Sequence, residues 1–264
     1  MAWLNKNHLK LYYETHGKGP AVLMIAGLAS DSQSWQFILK KMASRFNVII
    51  YDNRGTGRTQ NAGYPFQMKD LAQDALDLLD HLGVNRCQII GHSMGGCIAQ
   101  ELAFMAPEMV HKMVLASTTP IMSDRNKSLF DHFIHGWESG IPQDQWFREL
   151  FYWLFSPNAF VNKKFLDAAI IYTMCYPYQQ TLESFKAQIE ALINFDSSPF
   201  LDKINTESLI VSGAKDILVY PDESAKLKSM PGFHDMIILE KAAHSIHAEY
   251  PEEFLDCIIP FLEN

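Results

Sequence analysis

The chain has 264 residues, 48% hydrophobic and 20% charged, with a formal net charge of −8, which fits one large α/β domain or a core carrying an inserted piece. That acidic balance, with no dense Lys/Arg cluster, argues against a nucleic-acid surface. No apolar run reaches the length of a membrane span, and Met1 to His8 lack the apolar stretch of a signal peptide, so a cytoplasmic protein without nucleic-acid or membrane partners is expected.

In chain order, Leu9-Lys10-Leu11-Tyr12-Tyr13 alternates in polarity and reads as a strand at a sheet edge. Ala21–Ile25 is a short apolar run and reads as a buried strand. The turn-prone Ala26-Gly27-Leu28-Ala29-Ser30 follows it, and then a helical pattern near residues 34–44. Asn47–Tyr51 is a second apolar run, and it leads into Asp52-Asn53-Arg54-Gly55-Thr56-Gly57-Arg58-Thr59. Over 67–82, Leu71, Ala75, Leu78, Leu79 and Leu82 recur at helical spacing. Further strands are expected at Cys87–Ile90, Lys112–Ala116, Ser208–Val211 and Met236–Leu239, and further helices near 95–106, 222–229 and 251–263. Short apolar runs alternating with helical patterns predict an α/β architecture with a mainly parallel sheet covered on both faces. Cys87, Cys97, Cys175 and Cys257 are widely spaced and read as buried free thiols.

The rhythm breaks after Pro120 and resumes near Asn205. This divides the chain into a core, 1–120 with 205–264, and a helical insert over 121–204. Seventeen of the 32 aromatic residues fall in 121–200, under a third of the chain. That density predicts a lid with an apolar inner face, and hence a preference for medium-chain over acetyl groups until the pocket fills.

Gly91-His92-Ser93-Met94-Gly95 sits between an expected strand and an expected helix. A Gly-x-Ser-x-Gly in that setting has the features of a nucleophile elbow. The turn is so tight that side chains at Gly91 and Gly95 would collide, and Ser93 would stand clear above a helix N-terminus. A serine hydroxyl needs a base, and the base needs a carboxylate to orient it. Asp216, after the strand Ser208–Val211, and His244, after Met236–Leu239, both emerge at carboxyl ends of strands, where an open α/β sheet builds its site. His247 is the alternative base and Asp222 the alternative acid, although Asp222 follows Pro221 at a helix start and suits a first-turn acid. His92 is expected to point away from Ser93 and to pack or hydrogen-bond nearby. The developing oxyanion needs two donors, assigned to the backbone N–H groups of Met94 and Leu28, with Gly27 letting the loop turn inward.

With these residues in place, the chain resembles α/β-hydrolase-fold enzymes over essentially its full length. The matching segments are Ile25 to Leu28, Asp52 to Thr59, Gly91 to Gly96, Gly213 to Asp216 and Ala243-His244. The Asp-x-Arg-Gly-x-Gly segment is similar to that of the capped branch, which holds enol-lactonases, carboxylesterases, carbon–carbon bond hydrolases and haloperoxidase-like enzymes. The resemblance implies that this segment is structural, so Arg54 receives no catalytic role. Ala26 departs from the pattern, since relatives usually carry His there. Ser93 stands where dehalogenases and epoxide hydrolases use Asp, which argues against both reactions.

The expected function is therefore a cofactor-independent, metal-free serine hydrolase of a small-molecule carboxylic ester or lactone with an apolar acyl part. Carbon–carbon bond hydrolysis of a vinylogous diketone would use the same triad. Cleavage of a methyl ester on acyl carrier protein would favour a basic lid, whereas 121–200 holds six Lys/Arg against nine Asp/Glu. A ligand-binding protein without turnover is the non-enzyme alternative, and the complete triad weighs against it.

Overall fold

The strands are β1 (Ala2–Lys6), β2 (Leu9–His16), β3 (Ala21–Ile25), β4 (Asn47–Tyr51), β5 (Cys87–His92), β6 (Val110–Ala116), β7 (Glu207–Gly213) and β8 (Phe233–Leu239). They form one sheet in the order β1-β2-β4-β3-β5-β6-β7-β8, antiparallel at β1·β2 and β2·β4 and parallel elsewhere. The structure, a computed structural model, describes residues 2–6, 9–59, 65–161 and 163–264, with the backbone alone of Phe165.

Alternation along the central strands sorts their side chains between two cores. On β3, Val22 and Met24 face one side while Leu23 and Ile25 face the other, and β4 divides Val48 and Ile50 from Ile49 and Tyr51 in the same way. Helices α1 (Gln36–Ala43) and, at the C-terminus, α11 (Pro251–Glu263) cover the first face, with Ile38, Met42, Phe254 and Ile258 buried. Helices α2 (Met68–His81) and α3 (Met94–Met105) cover the second through Leu71, Leu78, Ile98 and Leu102.

Between β6 and β7 the chain forms α4 (Asp124–Glu138), α5 (Gln143–Leu154), α6 (Pro157–Val161), α7 (Lys163–Met174) and α8 (Leu182–Ile193). Their aromatics pack largely on one another. Trp146 meets Phe133, Trp137, Phe147 and Phe185 with ring centroids 5.0–5.4 Å apart. Helix α8 is apolar on two faces. Phe185 and Ile189 join that aromatic cluster, whereas Ala187 and Ala191 join the core under the sheet. Phe195, Leu201 and Ile204 also belong to the sheet core. Two short helices, α9 (Pro221–Ser224) and α10 (Ile246–Glu249), follow β7 and β8.

Two expectations need correction. The Leu9–Tyr13 segment is not an edge strand: β1 pairs outside it, from Ala2↔Tyr13 to Lys6↔Leu9. Only Leu4 of β1 is buried, so the segment carries too little apolar pattern to be recognised. Of the four cysteines, all free, Cys87 and Cys97 are buried, but Cys175 is exposed beyond the end of α7. Among the described residues, no helix is long and apolar enough to cross a membrane.

Candidate active site

The parallel strands deliver four loops to one edge of the sheet, their carboxyl ends. Gly27 and Leu28 follow β3, Ser93 follows β5, Asp216 follows β7 and His244 follows β8. Ser93 takes φ 53° and ψ −118° between β5 and α3, a left-handed conformation costly for a side-chain-bearing residue. Its neighbours make that turn possible. A Cβ on Gly91 would lie 2.4 Å from the Gly95 carbonyl oxygen, and one on Gly95 would lie 2.0 Å from that of Ile25. Two hydrogen bonds hold the elbow: Ser93 N–H donates to Ala116 O at 2.9 Å, and Thr118 Oγ1 donates to Ser93 O at 2.8 Å.

Asp216 and His244 are brought together. The Asp216 Oδ2 accepts from His244 Nδ1 at 2.9 Å, and both side chains are buried. The other oxygen, Oδ1, accepts from the N–H groups of Leu218 and Val219 at 2.9 and 2.8 Å, which fixes the carboxylate plane. A carboxylate only accepts, so the proton sits on Nδ1 and His244 Nε2 is left as a base. His92 takes no part in the Asp216–His244 hydrogen bond but lies against it, its ring centroid 5.0 Å from that of His244. Its Nε2 donates to the His244 carbonyl at 2.9 Å, tying the loop of the base to the residue beside Ser93. On the far side of that loop, Ser245 N–H donates to Leu154 O at 3.0 Å, and Glu249 accepts from the N–H groups of Ala243 and Ser156.

The alternative residues lie elsewhere. His247 is buried against Trp35 and His92, with ring centroids 4.6 and 4.5 Å away. Burial, then the charge available to His244, pushes its pKa down to about 3, so it packs as a neutral ring. His92 is likewise held well below the usual histidine range, first by burial and then by its two histidine neighbours. Asp222 lies in the first turn of α9, apart from His244's hydrogen bond.

The Asp52–Thr59 segment braces the β3 loop. Asp52 accepts from the Ser32 N–H at 3.0 Å, the Ser32 hydroxyl at 2.6 Å, the Arg58 N–H at 2.8 Å and the Arg58 guanidinium at 2.9 Å. Asn53 donates to Ala26 O at 2.9 Å, and Arg54 clasps Asp74 of α2 through two bonds of 2.8 and 2.6 Å. Gln188 of α8 was not apparent from the sequence: it donates to Arg54 O at 3.0 Å and accepts from Ala29 N–H at 3.3 Å. Partners so distant in the chain leave no local signature.

Ser93, Leu28 and Met94 line one pocket, with Cys97, Phe130, Leu192, Leu218 and Val219 among its other walls. The Met94 N–H opens α3 and has no acceptor within that helix. Gly27 lies against the nucleophile's residue, since a Cβ there would come within 3.2 Å of Ser93 Cβ. The free space in this pocket is about 30 Å³, roughly that of two water-sized groups. It is too small for the medium-chain acyl group suggested by the aromatic density, because those rings fill one another's space. A wider cavity of about 220 Å³ is lined by the next residues of the same loop, Ala29, Ser30 and Asp31.

The model of the alpha/beta hydrolase fold matches residues 20–251. A protein from Azorhizobium caulinodans with the provisional name carbamate hydrolase RutD is 27% identical over 99% of this chain and 98% of its own. A like-named protein from Pseudomonas syringae is 27% identical over 94% and 95%. Among solved structures, the enol-lactonase of Burkholderia xenovorans superposes with TM-score 0.89 at 20% identity, covering all of both chains. The thermophilic esterase of Thermogutta terrifontis gives 0.84 at 23% identity over 97% of this chain and 93% of its own.

Proposed function

Because the chain belongs to the alpha/beta hydrolase fold family, we propose that it is a serine hydrolase cleaving a small-molecule carboxylic ester or lactone with a short, apolar acyl part. The observation that carries this reading is the Asp216–His244 hydrogen bond of 2.9 Å, made by a carboxylate already fixed by two backbone N–H groups. Such a pair is built to take a proton at His244 Nε2 and to stabilise the resulting imidazolium.

In the proposed reaction, His244 removes the proton of Ser93 as Oγ attacks the carbonyl carbon. The oxygen becomes an oxyanion held by the N–H groups of Leu28 and Met94, with the N-terminal end of α3 adding its dipole. His244 then gives its proton to the leaving alcohol. Water, deprotonated by His244 in turn, releases the acid and restores Ser93. No step calls for a metal or cofactor. Residues 121–204 act as a lid on the core formed by 1–120 and 205–264. The acyl group would sit in the pocket of Leu28, Phe130 and Leu192.

A second reading is carbamate hydrolysis, favoured by the provisional name of the relatives. Attack on a carbamate carbonyl would use the same residues. The test is a panel of p-nitrophenyl acetate, butyrate and octanoate with a lactone, an aryl carbamate and a ring-cleavage diketone. While space lasts, each buried methylene adds about 0.8 kcal/mol, or roughly fourfold in kcat/KM. The expected profile therefore peaks at acetate to butyrate and falls at octanoate. Preference for the diketone over every ester would replace this reading, and preference for the carbamate would promote the second.

A further inference from the structure

The cavity of about 220 Å³ beside the β3 loop is walled by the rings of Trp137, Phe147, Tyr172, Tyr176 and Tyr178, and by amide and hydroxyl side chains. Among the described residues lining it, Asp31 is the single charged one. The residue as a whole is 8% exposed. Oδ1 accepts from Gln33 N–H at 2.8 Å and Oδ2 accepts from the Tyr176 hydroxyl, and no cation among the described residues lies within ion-pair distance. The nearby guanidinium, Arg58, is spent on Asp52 at 2.9 Å, so two carboxylates share one positive charge.

Capping the turn at Ser32–Trp35 does not require a carboxylate, because an asparagine or serine oxygen would cap it as well. Burying a charge without a partner is costly, and burial and Asp52 together raise the pKa of Asp31. A second wall residue, Gln180, donates through Nε2 to Gly55 O and Gln188 Oε1, leaving its buried Oε1 without a hydrogen-bond partner. Asp31 and Gln180 thus give the cavity acceptor capacity that its protein partners do not exhaust, beside several aromatic faces. Those faces suit a cation, and Tyr178 already carries the Arg58 guanidinium 4.8 Å from its ring centre.

We propose that this cavity is a binding site for a small organic ammonium group, its N–H donors met by Asp31 and Gln180 and its carbon part by the rings. The volume suits an alkyl or aryl-alkyl ammonium and not a larger ligand. Leu28 lines the Ser93 pocket while Ala29 to Asp31 line this cavity, so the occupant touches the loop that carries the proposed oxyanion donor. Such a group has two sources, the alcohol arm of a substrate or a separate ligand.

Calorimetry with phenethylammonium, 2-phenylethanol and 3-phenylpropionate tests the site without relying on turnover. The wild type and Ser93→Ala should both bind the ammonium at least about tenfold more tightly than the neutral alcohol, and the carboxylate not at all. Asp31→Asn, which keeps the cap, should abolish that preference. So should Tyr172→Lys, placed on a wall residue that is 58% exposed and therefore dispensable for folding. Equal binding of the ammonium and the alcohol, no ammonium binding, or a preference untouched by both variants would overturn the proposal. The source is read separately, by comparing 2-(dimethylamino)ethyl acetate with its neutral isostere 3-methylbutyl acetate. This arm alone rests on the esterase reading. A gain in kcat/KM for the charged ester that Asp31→Asn removes assigns the site to the substrate's alcohol arm. Equal rates with ammonium binding intact assign it to a separate ligand. Absence of turnover on both esters counts against the esterase reading and leaves the calorimetric result standing.

Discussion

At the scale of single residues, the proposed catalysis depends on Asp216 being a carboxylate in one orientation. Asp216→Asn keeps an acceptor for the Leu218 and Val219 N–H groups but can present an N–H to His244 and favour the wrong tautomer. The expected loss is on the order of 10⁴-fold in kcat with little change in melting temperature, whereas Asp222→Asn stays near wild type. The reverse outcome would show that the acid is misassigned. His247 makes a different prediction. Its folded pKa, about 3, lies below the value of about 6.5 in an unfolded chain. Below pH 6.5 the unfolded chain takes up a proton that the folded protein refuses, so this residue withdraws stability as pH falls through that window, at up to about 1.4 kcal/mol per pH unit. In denaturant titrations between pH 6 and 4, His247→Phe should flatten the acid limb by about one proton. An unchanged slope would mean that His247 is not held neutral. Ser93, Asp216 and His244 could be read from the sequence because a tight turn demands glycines and strand ends follow apolar runs. That His92 packs and hydrogen-bonds beside Ser93 was legible too, whereas the burial of His247 against Trp35 was not, since no chain-local pattern separates a buried imidazole from a catalytic one.

At the scale of elements, the β3 loop is held from two sides. Asp52 fastens it from the β4 side and Gln188 of α8 reaches its backbone from the insert. Gln188→Leu would remove the side-chain hydrogen bonds to the Arg54 carbonyl and the Ala29 N–H, both part-buried, at about 0.5–1.5 kcal/mol for each bond lost. Because Ala29 follows Leu28, the variant should lose kcat as well as thermal stability. Calorimetry and ester assays on the one protein check both. A variant that is less stable yet fully active would separate α8 from the oxyanion loop. Helices α1, α2, α3 and α11 were legible in the sequence, with Pro251 marking the start of α11, whereas those of the insert were expected only as a helical stretch. β1 was not, because an edge strand with one buried side chain has almost no apolar period. Nor was Gln188, whose partners lie 134 and 159 positions away.

At the scale of the molecule, parallel strands gather four distant loops at one edge, and these carry the Ser93 turn, the Asp216–His244 hydrogen bond and the β3 loop. That convergence was readable because alternating apolar runs and helical patterns leave few ways to cover a parallel sheet. The fate of the aromatics was not, since composition cannot say whether a ring lines a cavity or fills a neighbour's space. Trp146 does both, bordering the wide cavity while packing against four other rings. If Ser93 is the nucleophile and His244 its base, as proposed, then treating the protein with a fluorophosphonate and locating the adduct by peptide mass spectrometry should find stoichiometric labelling of Ser93, with loss of esterase activity in step. Ser93→Ala should not label at all, and His244→Ala should label slower by several orders of magnitude. Labelling of a different serine, or equal rates with and without His244, would contradict that proposal.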